Sequence, residues 1–336
     1  MMHVAVAGLG WWGRQICAAL ADSDVVRVVA AHDPQVELSG AGIDVRLVET
    51  FDELLADPNV DGIVLATPHS LHDAQLKAAA AAGKHVFCEK PLSLTAKGAR
   101  ASLAACRENG VTLGVGHERR YEPGLERIAR MAVDGTLGTI VSMDANFSHD
   151  KFKAMDRDNW RLRKADAPAG NMTALGIHLT DLFISLAGPV ETVYARSARR
   201  VFEPPLEDSL SVVLGFHSGL TATFTCLSTV PFYGRITVMG EHAWAELRDY
   251  SNVDVDEPAI LTVRTADGDR DETALDSAET VRMNIEAWAR AAFGQDSYRF
   301  TEEELVGNID VLEAITLSAE RGAPVAISEL AGGAHA

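Results

Sequence analysis

Three groups of residues in this sequence have types and spacings that could do chemistry. The first is Gly8, Gly10 and Gly13, within HVAVAGLGWWGRQICAAL at residues 3 to 20. A GxGxxG run between a buried apolar strand and a helix lets Gly8 turn tightly, lets a pyrophosphate approach the backbone at Gly10, and lets helix and strand pack closely at Gly13. The helix amides from Trp11 and Trp12 onward would then face the phosphates. A second apolar strand, residues 25 to 31, leads into Asp33. A carboxylate at that position accepts hydrogen bonds from ribose hydroxyls and repels a 2′-phosphate, and no Arg or Lys follows it in His32–Asp33–Pro34–Gln35. The pattern therefore implies NAD in preference to NADP.

The second group lies just past two later strands. In ATPHSLH, Thr67 and Pro68 end a strand, and His69 and His72 enter a helix. Two histidines three apart share a helix face, yet no carboxylate or cysteine is spaced to complete a metal set. His72 is read as part of the cofactor wall, on the nicotinamide side, and no metal is expected. In CEKPLS, Pro91 restricts Lys90 to an extended backbone, so that its ammonium can project beyond the strand end beside Glu89. A cation there can polarise a carbonyl or stabilise a developing alkoxide. The third group is AGNMTALGIHLTDLF, where a helix entered from Gly170 carries His178 and, one turn later, Asp181. A histidine with a carboxylate to orient its ring is a candidate general base.

The elements that must position these residues alternate through the first part of the chain. Strands at 62–66, 85–88 and 111–115 are separated by helices at 51–56, 71–82 and 95–109, the order of a doubly wound parallel sheet. From residue 121 the pattern changes. Helices at 123–131 and 172–186 flank a strand at 140–147, and six strands follow between 192 and 263, indicating a mainly antiparallel open sheet with helices on one face. Helices at 281–293 and 301–319 and a strand at 325–327 close the chain before a low-complexity AGGAHA, expected to fray. The organisation is thus α/β followed by α+β, in domains of residues 1–120 and 121–330.

The chain has 336 residues, 47% of them hydrophobic and 23% charged, a globular balance with ample core material. Its net charge of -18 argues against nucleic-acid or anionic-membrane partners, which call for a basic surface. Cys17, Cys88, Cys106 and Cys226 are scattered without a CxxC. That spacing, with no export signal or membrane-length apolar run, points to a cytoplasmic protein.

These motifs together resemble the glucose-fructose oxidoreductase and inositol dehydrogenase type enzymes, the Gfo/Idh/MocA family, over nearly the whole chain. GLGWWG, ATPHSLH, Glu89–Lys90–Pro91, GHERRYEP at residues 116 to 123, GIHLTD at 176 to 181, EDSLSVVLGF and LEAITLSAERGAPVAI carry the resemblance. It implies an N-terminal Rossmann domain for NAD, a C-terminal domain for substrate and oligomerisation, and a dehydrogenase interconverting a secondary alcohol and a ketone. It also implies that Lys90 is the catalytic lysine, that His178 takes the hydroxyl proton, and that the Lys90–Pro91 peptide is cis. The family commonly has an Asp four residues before that histidine, where this chain has Ala174 beside Thr173, and Glu118 replaces a frequent Asn.

Basic residues crowd unusually at Arg157, Arg161, Arg163 and Lys164, and again at Arg119 and Arg120. Trp160 with Arg161 resembles a pair that the family places near substrate, and an arginine fork suits a carboxylate. The expected substrate is therefore a sugar-like, anionic small molecule held by Arg161 and Arg120, with Trp160 and Thr173 alongside. The alternatives are a cofactor-bound sensor with little turnover, or NAD-dependent elimination or glycoside cleavage through transient oxidation. A homodimer or homotetramer is expected, because an open sheet leaves one face to cover.

Overall fold

The structure is a computed structural model describing residues 1–35, 45–203, 207–249 and 257–332. The chain forms two compact units, residues 1–118 with 279–305 and residues 119–278 with 306–336. In the first unit, β1 (Met2–Ala7), α1 (Trp11–Ala19), β2 (Val26–His32), β3 (Arg46–Leu47), α2 (Phe51–Ala56), β4 (Gly62–Leu65), α3 (His72–Ala81), β5 (His85–Cys88), α4 (Ala96–Glu108) and β6 (Leu113–Val115) alternate. Among the described residues their strands make a six-stranded parallel sheet ordered β3-β2-β1-β4-β5-β6. The order reverses at the β1–β4 pair, the switch point where open sheets of this kind take their ligands.

The central strands read as apolar runs because both faces are covered: every residue of β4 is buried. Helices α2 and α4 start at Thr50 and Thr95, whose side chains accept from the Glu53 and Gly98 amides. Helix α1 begins at Trp11, with Gly10 as its N-cap.

The second unit contains α5 (Pro123–Val133), β7 (Ile140–Ser148), α6 (Gly176–Ala187), β8 (Val190–Ala198), β9 (Ser209–Phe216), β10 (Thr221–Leu227), β11 (Tyr233–Gly240), β12 (Ala243–Asp249), β13 (Ala259–Thr265) and β14 (Arg270–Leu275). With the late β15 these give, among the described residues, a nine-stranded sheet ordered β14-β13-β12-β11-β7-β10-β9-β8-β15. Its pairs are antiparallel except β7 with β10. Strand alternation sets the buried face: β9 buries Leu210, Val212, Leu214 and Phe216 and turns Val213 outward. Helix α6 packs on β7 and β10 and is buried all round from Gly176 to Ile184, as an apolar helix must be.

After β14 the chain returns. Helix α7 (Thr280–Ala292), assigned by sequence order to the second domain, packs into the first unit, where Ile285, Trp288 and Ala289 are fully buried with Val4, Val6, Val64 and Phe87. Helix α8 (Glu302–Arg321) follows, and the Ser318 hydroxyl accepts from the Ala195 amide of β8. The chain ends in β15 (Val325–Ala326) and α9 (Ile327–Gly332), so the expected terminal strand stops at Ala326 and a helix takes over. Residues 333–336 of the AGGAHA run lie outside the described residues.

Candidate active site

The C-terminal edge of the first unit's sheet gathers the residues expected to hold a dinucleotide. Gly8 has φ +94°, which L side chains rarely adopt, and a Cβ on Gly13 would lie 1.9 Å from the Gly8 carbonyl oxygen. A Cβ on Gly10, by contrast, would meet nothing within 4 Å, so open space faces the turn where a pyrophosphate would lie. No acidic residue stands in the first turn of α1 to oppose an anion. Trp11 is half exposed there, and Trp12 packs against the core with its ring 5.6 Å from that of Trp11. The Asp33 carboxylate is pinned just past β2, accepting the Leu9 amide at 2.7 Å and the Gln35 amide at 2.8 Å. Glycine turn and acid are thus one hydrogen-bonded piece, and the residues fit a dinucleotide.

The two turns beyond β4 and β5 are tied together by His72, which is fully buried. Its Nδ1 lies 2.8 Å from the Pro91 carbonyl oxygen and its Nε2 3.1 Å from that of Thr67. This is a finer role than the cofactor wall: the ring joins the Thr67–Pro68 turn to the turn that carries Lys90. The Lys90–Pro91 peptide is cis, as the resemblance implies. Strand pairing holds the turn from both sides, with the Glu89 amide donating to Leu65 O and the Gly116 amide to Cys88 O, each at 2.9 Å. Burial, and then the charge of nearby Glu118, push the Glu89 carboxyl up to about 8.

In the second unit, α6 is entered through a left-handed turn, Ala169 at φ 52° and Gly170 at φ 56°, and a short 3-10 turn from Gly170 to Met172. Asn171 anchors that turn by donating to the Cys226 carbonyl of β10 at 3.2 Å. Gly188, at φ 79°, ends the helix. His178 is 7% exposed, with its ring edge-on to Phe147 at 6.0 Å. It lines a small depression with Arg119, Asn146 and Asp249. The Arg119 guanidinium sits 4.6 Å above the Phe147 ring and pairs with Asp249 and Glu122.

Asp181, the carboxylate expected to orient the His178 ring, accepts from Arg120 Nε at 2.8 Å and Nη2 at 2.7 Å. Both groups are buried, so the Arg120 fork that was expected to bind a substrate anion is directed at a protein carboxylate. Thr173 is also buried.

The other basic cluster separates by environment. Arg157, Arg163 and Lys164 are exposed; Arg163 donates to the Asp158 carbonyl and Lys164 to Glu320. Arg161 is half-buried, its guanidinium 4.3 Å over the Trp160 ring, and it lines a cleft of about 350 Å³ with Phe152, Gly170, Asn171 and Phe202. Among the described residues no group of three or more His, Cys, Asp or Glu side chains is placed to hold a metal ion. The four cysteines are free thiols, all buried, and among the described residues no helix is long and apolar enough to cross a membrane.

A glycine turn bound to an acid past β2, at the switch point of a doubly wound sheet, belongs to oxidoreductases that use a nicotinamide dinucleotide. The chain belongs to one such group, the Gfo/Idh/MocA family. The family's NAD-binding Rossmann fold matches residues 2–117 and its C-terminal domain residues 125–246. Among curated relatives, D-xylose 1-dehydrogenase (NADP(+)) 2 of Haloferax volcanii is 31% identical, over 92% of this chain and 91% of its own length. The 1,5-anhydro-D-fructose reductase of Ensifer adhaerens is 29% identical over 82% and 83%. Among solved structures, aldose-aldose oxidoreductase from Caulobacter crescentus, complexed with glycerol, superposes with a TM-score of 0.84 at 25% identity, covering 97% of this chain and 99% of that one.

Proposed function

We propose that this chain is an NAD-dependent dehydrogenase interconverting a secondary alcohol and a ketone on a sugar-like, anionic small molecule. The observation that carries the reading is the edge of the first unit's sheet, where Lys90 is fixed on a turn braced by His72 in the same unit as the Gly8–Asp33 cradle. Bound NAD supplies the hydride acceptor. Gly8, Gly10, Gly13, the α1 amides from Trp11 and Trp12, Asp33, Thr67 and Pro68 hold it. Lys90 steadies the oxygen as it gains alkoxide character, and His178 takes the hydroxyl proton.

NAD is preferred to NADP because the pinned Asp33 carboxylate opposes a 2′-phosphate, although one relative is named for NADP(+). Sugar-like substrates agree with the names of the relatives, which include a xylose dehydrogenase and an anhydrofructose reductase. Arg161 is assigned the substrate anion, because stacking on Trp160 holds its fork at the wall of a cleft. Self-association as a homodimer or homotetramer is supported by the cross-strand pair Tyr194 and Val213, which the open sheet leaves 42% and 41% exposed.

The test is a screen of polyols, sugars, sugar acids and hydroxy acids with NAD and with NADP, followed at the NADH absorbance and repeated with Arg161→Ala. A sugar acid or hydroxy acid should respond best, with a Michaelis constant that Arg161→Ala raises more than that of its neutral analogue. A neutral polyol as best substrate, with kinetics untouched by Arg161→Ala, would overturn the anionic assignment. NAD binding without net reduction by any substrate would favour the sensor or the transient-oxidation chemistry.

A further inference from the structure

Residues 2–117 match an NAD-binding Rossmann fold, so the dinucleotide's phosphates meet the turn from Gly8 to Gly13. A dianionic pyrophosphate then enters a chain of net charge -18, beside the Asp33 carboxylate. Backbone amides and the N-terminus of α1 offset part of that charge. A full positive charge at the same place offsets more. Residues 3–20, 30–35 and 62–72, which build the turn and the strand ends on either side of it, contain one Lys or Arg between them, Arg14. Lys90 stands past β5, two strands away from β1.

Arg14 lies one helical turn after Gly10, and its amide donates to the Gly10 carbonyl at 3.2 Å. Residues four apart share a helix face, and helical side chains lean toward the N-terminus. Arg14 therefore leans toward the face on which Gly10 leaves open space. The side chain is exposed, yet it folds back over the turn, with Nε donating to the Leu9 carbonyl at 2.9 Å. Asp33 holds the peptide before Leu9 through its amide, and Arg14 holds the peptide after it through its carbonyl. The carboxylate thus marks the ribose end of the turn, and the guanidinium is fastened one peptide nearer Gly10. Among the described residues no carboxylate pairs with its terminal nitrogens.

We infer that Arg14 is the phosphate-pairing cation of the cradle, a guanidinium tethered at Nε so that its terminal nitrogens are presented to the cofactor's pyrophosphate. The tether lowers the entropy lost on binding, and a fork of parallel donors suits a pair of phosphate oxygens. Arg14 binds and takes no part in hydride or proton transfer. The inference rests on the cradle holding a nicotinamide dinucleotide, and not on Lys90, His178 or the identity of the substrate.

The experiment is isothermal titration calorimetry of the protein with NAD, ADP-ribose and NADP, for wild type, Arg14→Gln and Arg14→Lys, at low and at high sodium chloride. Arg14→Gln should weaken all three nucleotides alike, by roughly tenfold or more at low salt, the order of losing a charge-assisted hydrogen bond. It should also flatten the salt dependence of NAD affinity, a change that a merely structural role would not produce. Arg14→Lys, which keeps the charge without the fork, should recover part of the affinity and most of the salt dependence. Because Arg14 is exposed, the free proteins should melt together, which shows that the variants are folded. If Arg14→Gln binds NAD within about twofold of wild type, as a solvated surface charge would, the inference is refuted and the cradle stands as the cofactor site. A loss confined to NADP would assign the guanidinium to the 2′-phosphate and refute the pyrophosphate contact. A wild type that binds none of the three nucleotides would overturn the cradle reading and the inference with it.

Discussion

Trp288 is the side chain whose loss should cost the first unit most. It is fully buried on α7, edge-on to Phe87 at 5.6 Å, and its indole donates to the Thr112 carbonyl at 3.1 Å. The sheet is cut to receive it: Cβ atoms on Gly62 and Gly114 would lie 2.8 and 2.7 Å from its ring. Trp288→Ala therefore opens a cavity that two glycine-bearing strands cannot fill by small shifts, costing about 3–5 kcal/mol. Losing the indole's bond to the Thr112 carbonyl, which keeps the Val86 amide as a donor, adds up to roughly 1 kcal/mol. Against a total stability of about 5–15 kcal/mol, that loss would leave the unit marginal at best. Taking a urea slope of about 2.5 kcal/mol/M, the midpoint of the first unit's transition, followed by far-ultraviolet circular dichroism, should fall by about 2 M. Trp288→Phe should lose less than half as much. Met283→Ala, on the 37% exposed part of the same helix, should change stability by no more than about 0.5 kcal/mol. If Trp288→Ala proved as mild as Met283→Ala, α7 would not belong to the core of the first unit.

Lys90→Met should leave the NAD dissociation constant within about twofold while turnover falls roughly a hundredfold or more, as read by nucleotide titration beside steady-state kinetics. His178→Asn should impair alcohol oxidation by a similar order, and an unaltered rate would transfer the base role to another residue. Asp33→Ser removes charge-assisted bonding worth about 1.5–3 kcal/mol, so NAD binding should weaken roughly ten- to hundredfold while NADP binding improves; equal losses for both would show that Asp33 only braces the glycine turn. Because Glu89 keeps its proton to about 8 in the folded chain, against roughly 4.3 for an unfolded glutamate, the native state binds more protons across that window. Urea midpoints should therefore decline as pH rises between those values, and Glu118→Gln should flatten the decline.

Much of the first unit was legible because its strands are short apolar runs punctuated by glycine and capping threonines; β5 and α2 run over the expected residues. The elements that escaped notice have physical reasons. Strand β14, RDETAL, is an edge strand whose first three positions, all exposed, carry charge, a defence against edge pairing that erases apolar periodicity. Strand β3 has only two residues. No local signal announces that α7 leaves the second unit, since its apolar stripe would suit either. The site was legible where spacing encodes it, as in Gly8, Gly10, Gly13 and Asp33. It was illegible where pairing of distant segments decides it, as with His72 joining the Thr67 and Pro91 turns or Arg120 gripping Asp181.

The return of α7 has a consequence for how the chain is made. Each unit is assembled from two separate stretches, and the stretches interleave. On the ribosome, β1, β4, β5 and β6 emerge early, but the helix that seals them with Trp288 follows only after the second unit's strands. At about 5–20 residues per second the gap between Glu118 and Leu305 lasts roughly 10 to 40 s. During that time the apolar surface around Phe87 and Val64 stands without its cover and open to chaperones. No single cut of the chain can release either unit whole, so proteolysis should yield the intact protein or collapse rather than a surviving nucleotide-binding fragment.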